Sequence, residues 1–181
     1  DKVKLVADAC RNNNVPIRIG VNSGSLEKEI LAKYGSPTPE AMVESGLYHI
    51  SLLNKFDFDD IVLSLKSSDT ARTYAAYVLA AEKCPYPLHL GVTEAGTERS
   101  SLVKSSIGIG SLLLKGIGDT MRVSITDSPV KEIYAARNIL NAVNLRVETP
   151  QIIACPTCGR TKIDLVSLAA QVEDAVKNIK K

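Results

Sequence analysis

"DDIVLSLKSSDTARTYAAYVLAAEKCPYPLHLGVTE", residues Asp59–Glu94, reads as a strand, a helix and a second strand joined by short connections. The aliphatic runs at Asp59–Lys66 and Tyr86–Glu94 predict two buried strands. Ser68 is expected to cap the helix that lies between them. Repetition of such a unit is typical of folds built from parallel βα units.

The same alternation continues on both sides of this stretch. Upstream, the spacing predicts a first helix and then a strand, and downstream a helix, a strand and another helix follow. A fifth short strand, "QIIA", precedes the last helix, which Asp164 is expected to cap. The remaining predicted features are strands at Val15–Asn22 and Thr120–Thr126, helices opened by Ser25, by Thr38 with Pro39 and by Ser128 with Pro129, and a helix end at Gly116 and Gly118.

Four βα units are half the number that a (β/α)8 barrel requires, and they favour half of a TIM-type barrel over a complete doubly wound sheet. Periodicity alone does not distinguish the two, so the doubly wound fold stays an alternative. A pause around Leu145–Pro150 predicts a domain boundary, with one domain at 1–147 and another at 148–181. Because the chain starts without methionine on a helical pattern, we expect it to be a fragment.

Composition excludes several classes of partner. The 22 basic and 20 acidic residues give a net charge of only +2, which gives no reason to expect a nucleic acid or a membrane. No apolar run approaches the roughly 20 residues that cross a bilayer. The four cysteines occur in a chain too aliphatic to be a disulfide-stapled miniprotein, so reduced thiols and a soluble cytoplasmic protein are expected.

The polar faces of the strands carry the chemistry. Residues two apart in a strand share a face, and this rule sets Arg18, Lys66 and Arg122 opposite the aliphatic face of their strands. Three cations directed into a barrel interior are very expensive to bury without anionic partners. A phosphorylated or diphosphate substrate is therefore predicted. The alternative is that each cation pairs with an internal carboxylate or extends to water.

Two further residues on these strands are titratable. His89 shares the polar face, although a single strand histidine is more often a satisfied core residue than a ligand. Glu94 ends its strand and could be a general acid or base, or a counter-ion to the same cations.

The stretch "IIACPTCGR", Ile152–Arg160, places Cys155 and Cys158 three residues apart. This spacing fits zinc, an iron-sulfur cluster or a redox disulfide. A zinc ribbon would need a second pair, and the isolated Cys10 and Cys84 are better explained as small buried residues. A thioredoxin-type pair should open a helix directly, whereas "GRTKI" intervenes, so an incomplete cluster site is favoured.

Several stretches in collinear order resemble the bacterial 4-hydroxy-3-methylbut-2-enyl diphosphate synthases of the methylerythritol phosphate route to isoprenoids. They are "PIRIGVNSGSLEKEILAKYG", "PLHLGVTEAG", "VKSSIGIGSLLLKGIGDTMRVSIT", "DSPVKEIYAAR" and "IIACPTCGR". The resemblance implies the C-terminal half of a (β/α)8 TIM-type barrel, followed by the beginning of a small α/β iron-sulfur domain. It also implies that 2-C-methyl-D-erythritol 2,4-cyclodiphosphate undergoes two-electron reductive ring opening and dehydroxylation at a [4Fe-4S] cluster.

The resemblance also implies residue roles. The diphosphate contacts would be Arg18, Asn22, Lys66, Arg122 and Ser124. Glu94 would be the acidic residue beside the reacting carbons, and Cys155 and Cys158 would be two cluster ligands.

Family members supply a third cysteine and a glutamate from a segment that follows the matching region, and neither is in this chain. We therefore do not expect this chain alone to hold a stable cluster or to turn over substrate. Flavodoxin or ferredoxin would donate electrons, and family enzymes are homodimers. A second hypothesis is a non-catalytic phosphate-binding half-barrel whose CxxC pair holds structural zinc.

Overall fold

The computed structural model describes residues 2–147, 150–176 and 179. Within these ranges, α-helices alternate with short parallel strands. In chain order the elements are α1 Lys2–Asn12, β1 Ile17–Asn22, a 3-10 turn Ser23–Ser25, α2 Lys28–Tyr34, α3 Pro39–Asn54, β2 Ile61–Lys66, α4 Thr70–Lys83, β3 His89–Gly91, α5 Glu98–Gly108, α6 Gly110–Leu114, β4 Thr120–Arg122, α7 Pro129–Ala142 and α8 Leu165–Val176.

The strands lie side by side in the order of the sequence. Strand β1 pairs in parallel with β2, and β3 pairs in parallel with β4. A parallel bridge between Leu63 and Leu88 sets β2 beside β3. A doubly wound sheet reverses its strand order at a switch point, whereas a barrel keeps the sequential order seen here. The predicted half of a TIM-type barrel is therefore correct, and the doubly wound alternative is wrong.

The hydrophobic core lies between the strands and the helices. The predicted aliphatic faces are buried in β2 and β3 and partly buried in β1 and β4, with Leu63, Leu65 and Leu90 fully inaccessible to solvent. Helices α3 and α4 close over them through Met42, Tyr77 and other buried side chains. The opposite face of the strands carries the polar side chains, as the alternation of side chains along a strand requires.

Two predicted helix caps are wrong. The chain forms a 3-10 turn at Ser23–Ser25 and then passes through an extended Leu26, so helix α2 begins after Glu27 rather than at Ser25. Helix α4 is capped by Asp69, whose carboxylate accepts the Arg72 N–H at 2.8 Å. A carboxylate competes well with a hydroxyl for this position, because it also complements the helix dipole.

The helix predicted to end at Gly116 and Gly118 is interrupted at Ile109, where α5 gives way to α6. At Gly108 the helix approaches β3 so closely that a Cβ would lie 2.6 Å from Cγ2 of Val92. Gly118 has a φ of +115°, as a turn after a helix requires. Gly108 therefore lets α5 pack tightly against the residue that follows β3, and Gly118 lets the chain turn after α6.

The chain divides into two compact units, residues 1–139 and residues 140–181. In the second unit Asp164 caps α8 as predicted, because its side chain accepts the Ser167 N–H at 3.1 Å. The predicted strand "QIIA" is wrong, since residues 151–154 form no regular structure and Ile153 is 89% exposed. A short apolar run becomes a strand only when it finds a partner edge.

The predicted domain boundary between 147 and 148 falls on residues 148 and 149, which lie outside the described residues. None of the helices in the described ranges combines the length and apolarity needed to span a bilayer.

Candidate functional site

The three predicted cations lie on one face of the first unit. Strand register sets Asn22 opposite Lys66 and Gly91 opposite Arg122. The amino group of Lys66 lies over Gly20, where a Cβ would be 3.5 Å from Nζ. The glycine thus leaves room for a cation on the polar face.

The three cations interact electrostatically. Burial lowers the pKa of Lys66, and the positive charges of Arg122 and Arg18 lower it further. Among the ion pairs of the described residues, none involves these three side chains. Arg18 is exposed, whereas Lys66 and Arg122 are half-buried. Internal carboxylates therefore do not neutralise the group within the described chain, although Arg18 does reach water.

Arg122 carries a further sign of an unsatisfied site. Its Nε is buried and has no hydrogen-bond partner among the described residues. A buried donor without an acceptor is destabilising by about 1–3 kcal/mol, and more when it is charged. An anion on this face would supply the missing acceptor.

His89 completes the cluster. The residue is only 9% exposed. Its ring nitrogen Nε2 lies 3.2 Å from Nη1 of Arg18, and Nδ1 lies 2.8 Å from Oγ1 of Thr120. Burial and the charges of Arg18, Arg122 and Lys66 lower its pKa to about 4. Sequence reasoning treated His89 as a core residue, although its place on the polar face signalled that it points toward the cations.

Tyr77 of α4 links this cluster to the strands and was missed in the sequence. Its hydroxyl accepts the Leu65 N–H at 3.0 Å and donates to the carbonyl of His89. The neighbouring rungs of the β2–β3 ladder are direct, from Leu63 N–H to Pro87 and from Thr93 N–H to Ser67. The phenol oxygen therefore replaces one rung between β2 and β3. Burial raises the pKa of Tyr77 to about 12.

The other predicted substrate contacts lie at the ends of the strands. Asn22 uses its side-chain oxygen to accept the Gly24 N–H at 3.2 Å, and Ser124 is half-buried. Glu94 is exposed and has a φ of +52°, a conformation unusual for a residue with a side chain. Within the described ranges, no hydrogen bond or ion pair is found between Glu94 and the cations.

The two cysteines of the CxxC pair belong to the second unit. Both are free and exposed. The Cys158 N–H donates to Oγ1 of Thr161 at 3.1 Å, and hydrogen bonds from Arg160 and Thr161 lower the pKa of Cys158. A more acidic thiol favours metal binding.

A complete metal or cluster site does not form within the described residues, because no group of three possible ligands is found there. Cys155 and Cys158 fit an iron-sulfur cluster by donor type, but they supply only part of a ligand set.

The sequential parallel strands, their covering helices and the basic polar face define a chain of the TIM-barrel class. Residues 1–137 match the family described as GcpE TIM-barrel domain. The chain belongs to this family.

Three curated bacterial relatives each bear the name 4-hydroxy-3-methylbut-2-en-1-yl diphosphate synthase (flavodoxin). The relative from Fusobacterium nucleatum is 57% identical over 180 residues, which cover 99% of this chain and 51% of the relative. Those from Brevibacillus brevis and Clostridium perfringens are 55% and 54% identical and are covered to 50% and 52%. The chain thus spans about half the length of these relatives.

Proposed function

We propose that this chain is part of an oxidoreductase that converts 2-C-methyl-D-erythritol 2,4-cyclodiphosphate to 4-hydroxy-3-methylbut-2-enyl diphosphate. The name shared by the relatives supports this activity for the whole protein. The observation that carries the proposal for this chain is the group of three cations that lack carboxylate partners in the described residues.

In this proposal residues 1–147 bind the diphosphate. Arg18 and Arg122 each offer N–H donors to phosphate oxygens, and Lys66 adds a compact charge. Asn22 and Ser124 supply neutral hydrogen bonds at the strand ends. The anion would satisfy the buried Nε of Arg122 and reduce the repulsion that lowers the pKa of Lys66.

Glu94 is proposed as the acid beside the reacting carbons. Its exposure leaves the carboxylate free to approach a bound substrate. A carboxyl group there would donate a proton to the hydroxyl that leaves as water in the dehydroxylation.

Residues 148–181 are proposed to begin the cluster domain, with Cys155 and Cys158 as two ligands of a [4Fe-4S] cluster that residues outside this chain complete. Such a cluster would supply the electrons for the reductive step. The anion site proposed for residues 1–147 does not depend on a bound cluster.

Flavodoxin, which the relatives' name includes, or ferredoxin is the proposed electron donor. The whole enzyme is proposed to be a cytoplasmic homodimer.

The anion site can be tested on this chain by calorimetric titration with inorganic pyrophosphate. We expect Arg122→Gln and Lys66→Met each to weaken binding by about tenfold or more, because a charged hydrogen bond contributes roughly 1.5–3 kcal/mol. Lys115→Gln is the control, because Lys115 is exposed at the end of α6. Equal affinity of all four proteins would contradict the proposal.

The activity is tested on a protein that spans the full length of the relatives, reconstituted with iron and sulfide without oxygen and supplied with reduced flavodoxin. We expect consumption of the cyclic diphosphate, and loss of substrate affinity in Arg122→Glu. A brown protein would support the cluster, whereas a colourless zinc protein that binds phosphate without turnover would support the second hypothesis.

A further inference from the structure

We infer that His89 is a positioning residue: its neutral ring carries the proton on Nδ1, and its Nε2 holds the guanidinium of Arg18 in place for the anion. This inference rests on the proposed function of the cation cluster, because it assigns a role within that site. His89 does not itself contact the substrate in this inference but acts through Arg18.

The donor and acceptor types fix the proton on the ring. A guanidinium has five N–H donors and no acceptor, so an Arg18 nitrogen 3.2 Å from Nε2 must donate to it. Nε2 then carries a lone pair, and the proton of the neutral ring resides on Nδ1. That N–H faces Oγ1 of Thr120 at 2.8 Å, and a hydroxyl oxygen can accept it. The Arg18 contact therefore requires the tautomer with the proton on Nδ1, and the Thr120 hydroxyl oxygen can accept that N–H.

Thr120 of the neighbouring strand holds the ring of His89, and Tyr77 of α4 holds its backbone. Thr120 lies directly opposite His89 in the β3–β4 register. On the other side, the hydroxyl of Tyr77 donates to the backbone carbonyl of His89 and accepts the amide of Leu65 in β2. An imidazole fixed in this way is a rigid acceptor.

Arg18 needs such an acceptor. It lies on β1, two strands away from β3, and its side chain is exposed. A free arginine side chain samples many rotamers, and ordering it on binding reduces affinity. The contact with His89 uses one N–H of Nη1 and leaves the others available to an anion. The guanidinium is thereby ordered before the anion arrives.

The charges around His89 favour the same state. The groups that face it are Arg18, Arg122 and Lys66, all cationic, together with the neutral Thr120. Because Nδ1–H points to Thr120 and Nε2 has no proton, the ring does not donate a proton to the anion. His89 is thus distinguished from a general acid.

Nitrogen NMR reads the tautomer directly, because the chain contains only two histidines. In a 15N-labelled sample at neutral pH, we expect the His89 ring to show a protonated Nδ1 and an unprotonated Nε2. His49→Gln assigns the two rings by removing one set of signals. A proton on Nε2, or a doubly protonated ring, would overturn the inference whether or not the chain binds an anion.

The effect on Arg18 is measured by titration with inorganic pyrophosphate. We expect His89→Leu to weaken binding about tenfold and His89→Gln to restore part of the loss, because the amide oxygen can accept from Arg18. In an Arg18→Ala background the His89→Leu change should have no further effect. Unchanged affinity of His89→Leu, or an equal loss in both backgrounds, would overturn the inference while leaving the proposed anion site intact.

If the unaltered chain does not bind pyrophosphate, the proposed function fails for this chain, and the side-chain 15N signals of Arg18 decide the inference instead. We expect distinct, slowly rotating Nη signals that become averaged in His89→Leu. Signals already averaged in the unaltered chain would overturn it. Thr120→Val, which removes the partner of Nδ1, provides a second variant if His89→Leu unfolds, and circular dichroism melting curves check each fold.

Discussion

Gly20 lies directly beneath the amino group of Lys66, on the strand next to it in the sheet. The absence of a side chain in β1 is what makes space for the cation of β2. A glycine in a strand usually weakens the strand, because it adds conformational freedom to the unfolded chain and packs nothing. Its presence here is therefore explained by the site rather than by the fold.

Replacement of Gly20 by valine should separate stability from binding. Valine favours the strand, so we expect the free energy of unfolding to rise by up to about 1 kcal/mol. Its branched side chain should displace the Lys66 amino group and weaken pyrophosphate binding. Gly20→Ala is the matched control, since a Cβ at 3.5 Å is an ordinary contact. Urea unfolding and calorimetry measure the two effects, and equal affinity in Gly20→Val would contradict the prediction.

The inserted hydroxyl of Tyr77 should matter for stability. Tyr77→Phe leaves the amide of Leu65 and the carbonyl of His89 without their shared partner in the core. An unpaired buried polar group is destabilising by about 1–3 kcal/mol, and we expect a loss of that order in urea unfolding. Tyr74→Phe on the same helix is the control for loss of a hydroxyl. If Tyr77→Phe is as stable as the unaltered chain, the strands close the gap by themselves.

The low pKa of His89 makes stability depend on pH. The pKa falls from 6.5 to about 4 on folding, so between these values the unfolded chain binds a proton that the folded chain does not. The free energy of unfolding therefore does not depend on the protonation of His89 above pH 6.5. It declines as the pH falls toward 4, by up to about 1.4 kcal/mol per pH unit.

Chemical denaturation from pH 7.5 to 4 tests this dependence. In His89→Gln the decline should be smaller, because the residual slope comes from the other titrating groups. If the free energy of unfolding depends on pH in the same way in both proteins, His89 has the same pKa in the folded and the unfolded chain, and the prediction is wrong.

We expect Glu94 to serve the reaction while its backbone conformation lowers the free energy of unfolding. Its φ of +52° is unfavourable for glutamate, and asparagine tolerates that region better. We expect Glu94→Asn to be as stable as the unaltered chain or more stable, by up to about 1 kcal/mol. In a protein that spans the full length of the relatives, the proposed role of Glu94 predicts that the same change abolishes turnover. Glu94→Ala keeps the strained backbone and should show no gain, so a stability gain in both variants would contradict the argument.

The fold class was predictable because the aliphatic and polar residues alternate so regularly. The alternation placed Arg18, Lys66 and Arg122 on one face, and the register of the strands agrees with that placement. The strand order was not predictable from periodicity, since both barrels and doubly wound sheets repeat the βα unit. It became visible only through the Leu63–Leu88 bridge.

The errors arose where local preference competes with distant contacts. Ser68 is a good cap by propensity, but the neighbouring Asp69 accepts the helix N–H instead. The run "QIIA" has strand composition but is left exposed without a partner strand in the described residues. The role of Tyr77 could not be inferred because it depends on a helix side chain that reaches between two strands.

We expect the rung that Tyr77 replaces to mark a boundary between two cooperative units of unfolding. Arg18 and Lys66 belong to the β1–β2 pair, whereas His89 and Arg122 belong to the β3–β4 pair. An anion bound by residues of both pairs would act as a cross-link between them and make separate opening of either pair less favourable. Ligand occupancy would then determine whether this part of the chain unfolds in one step or in two.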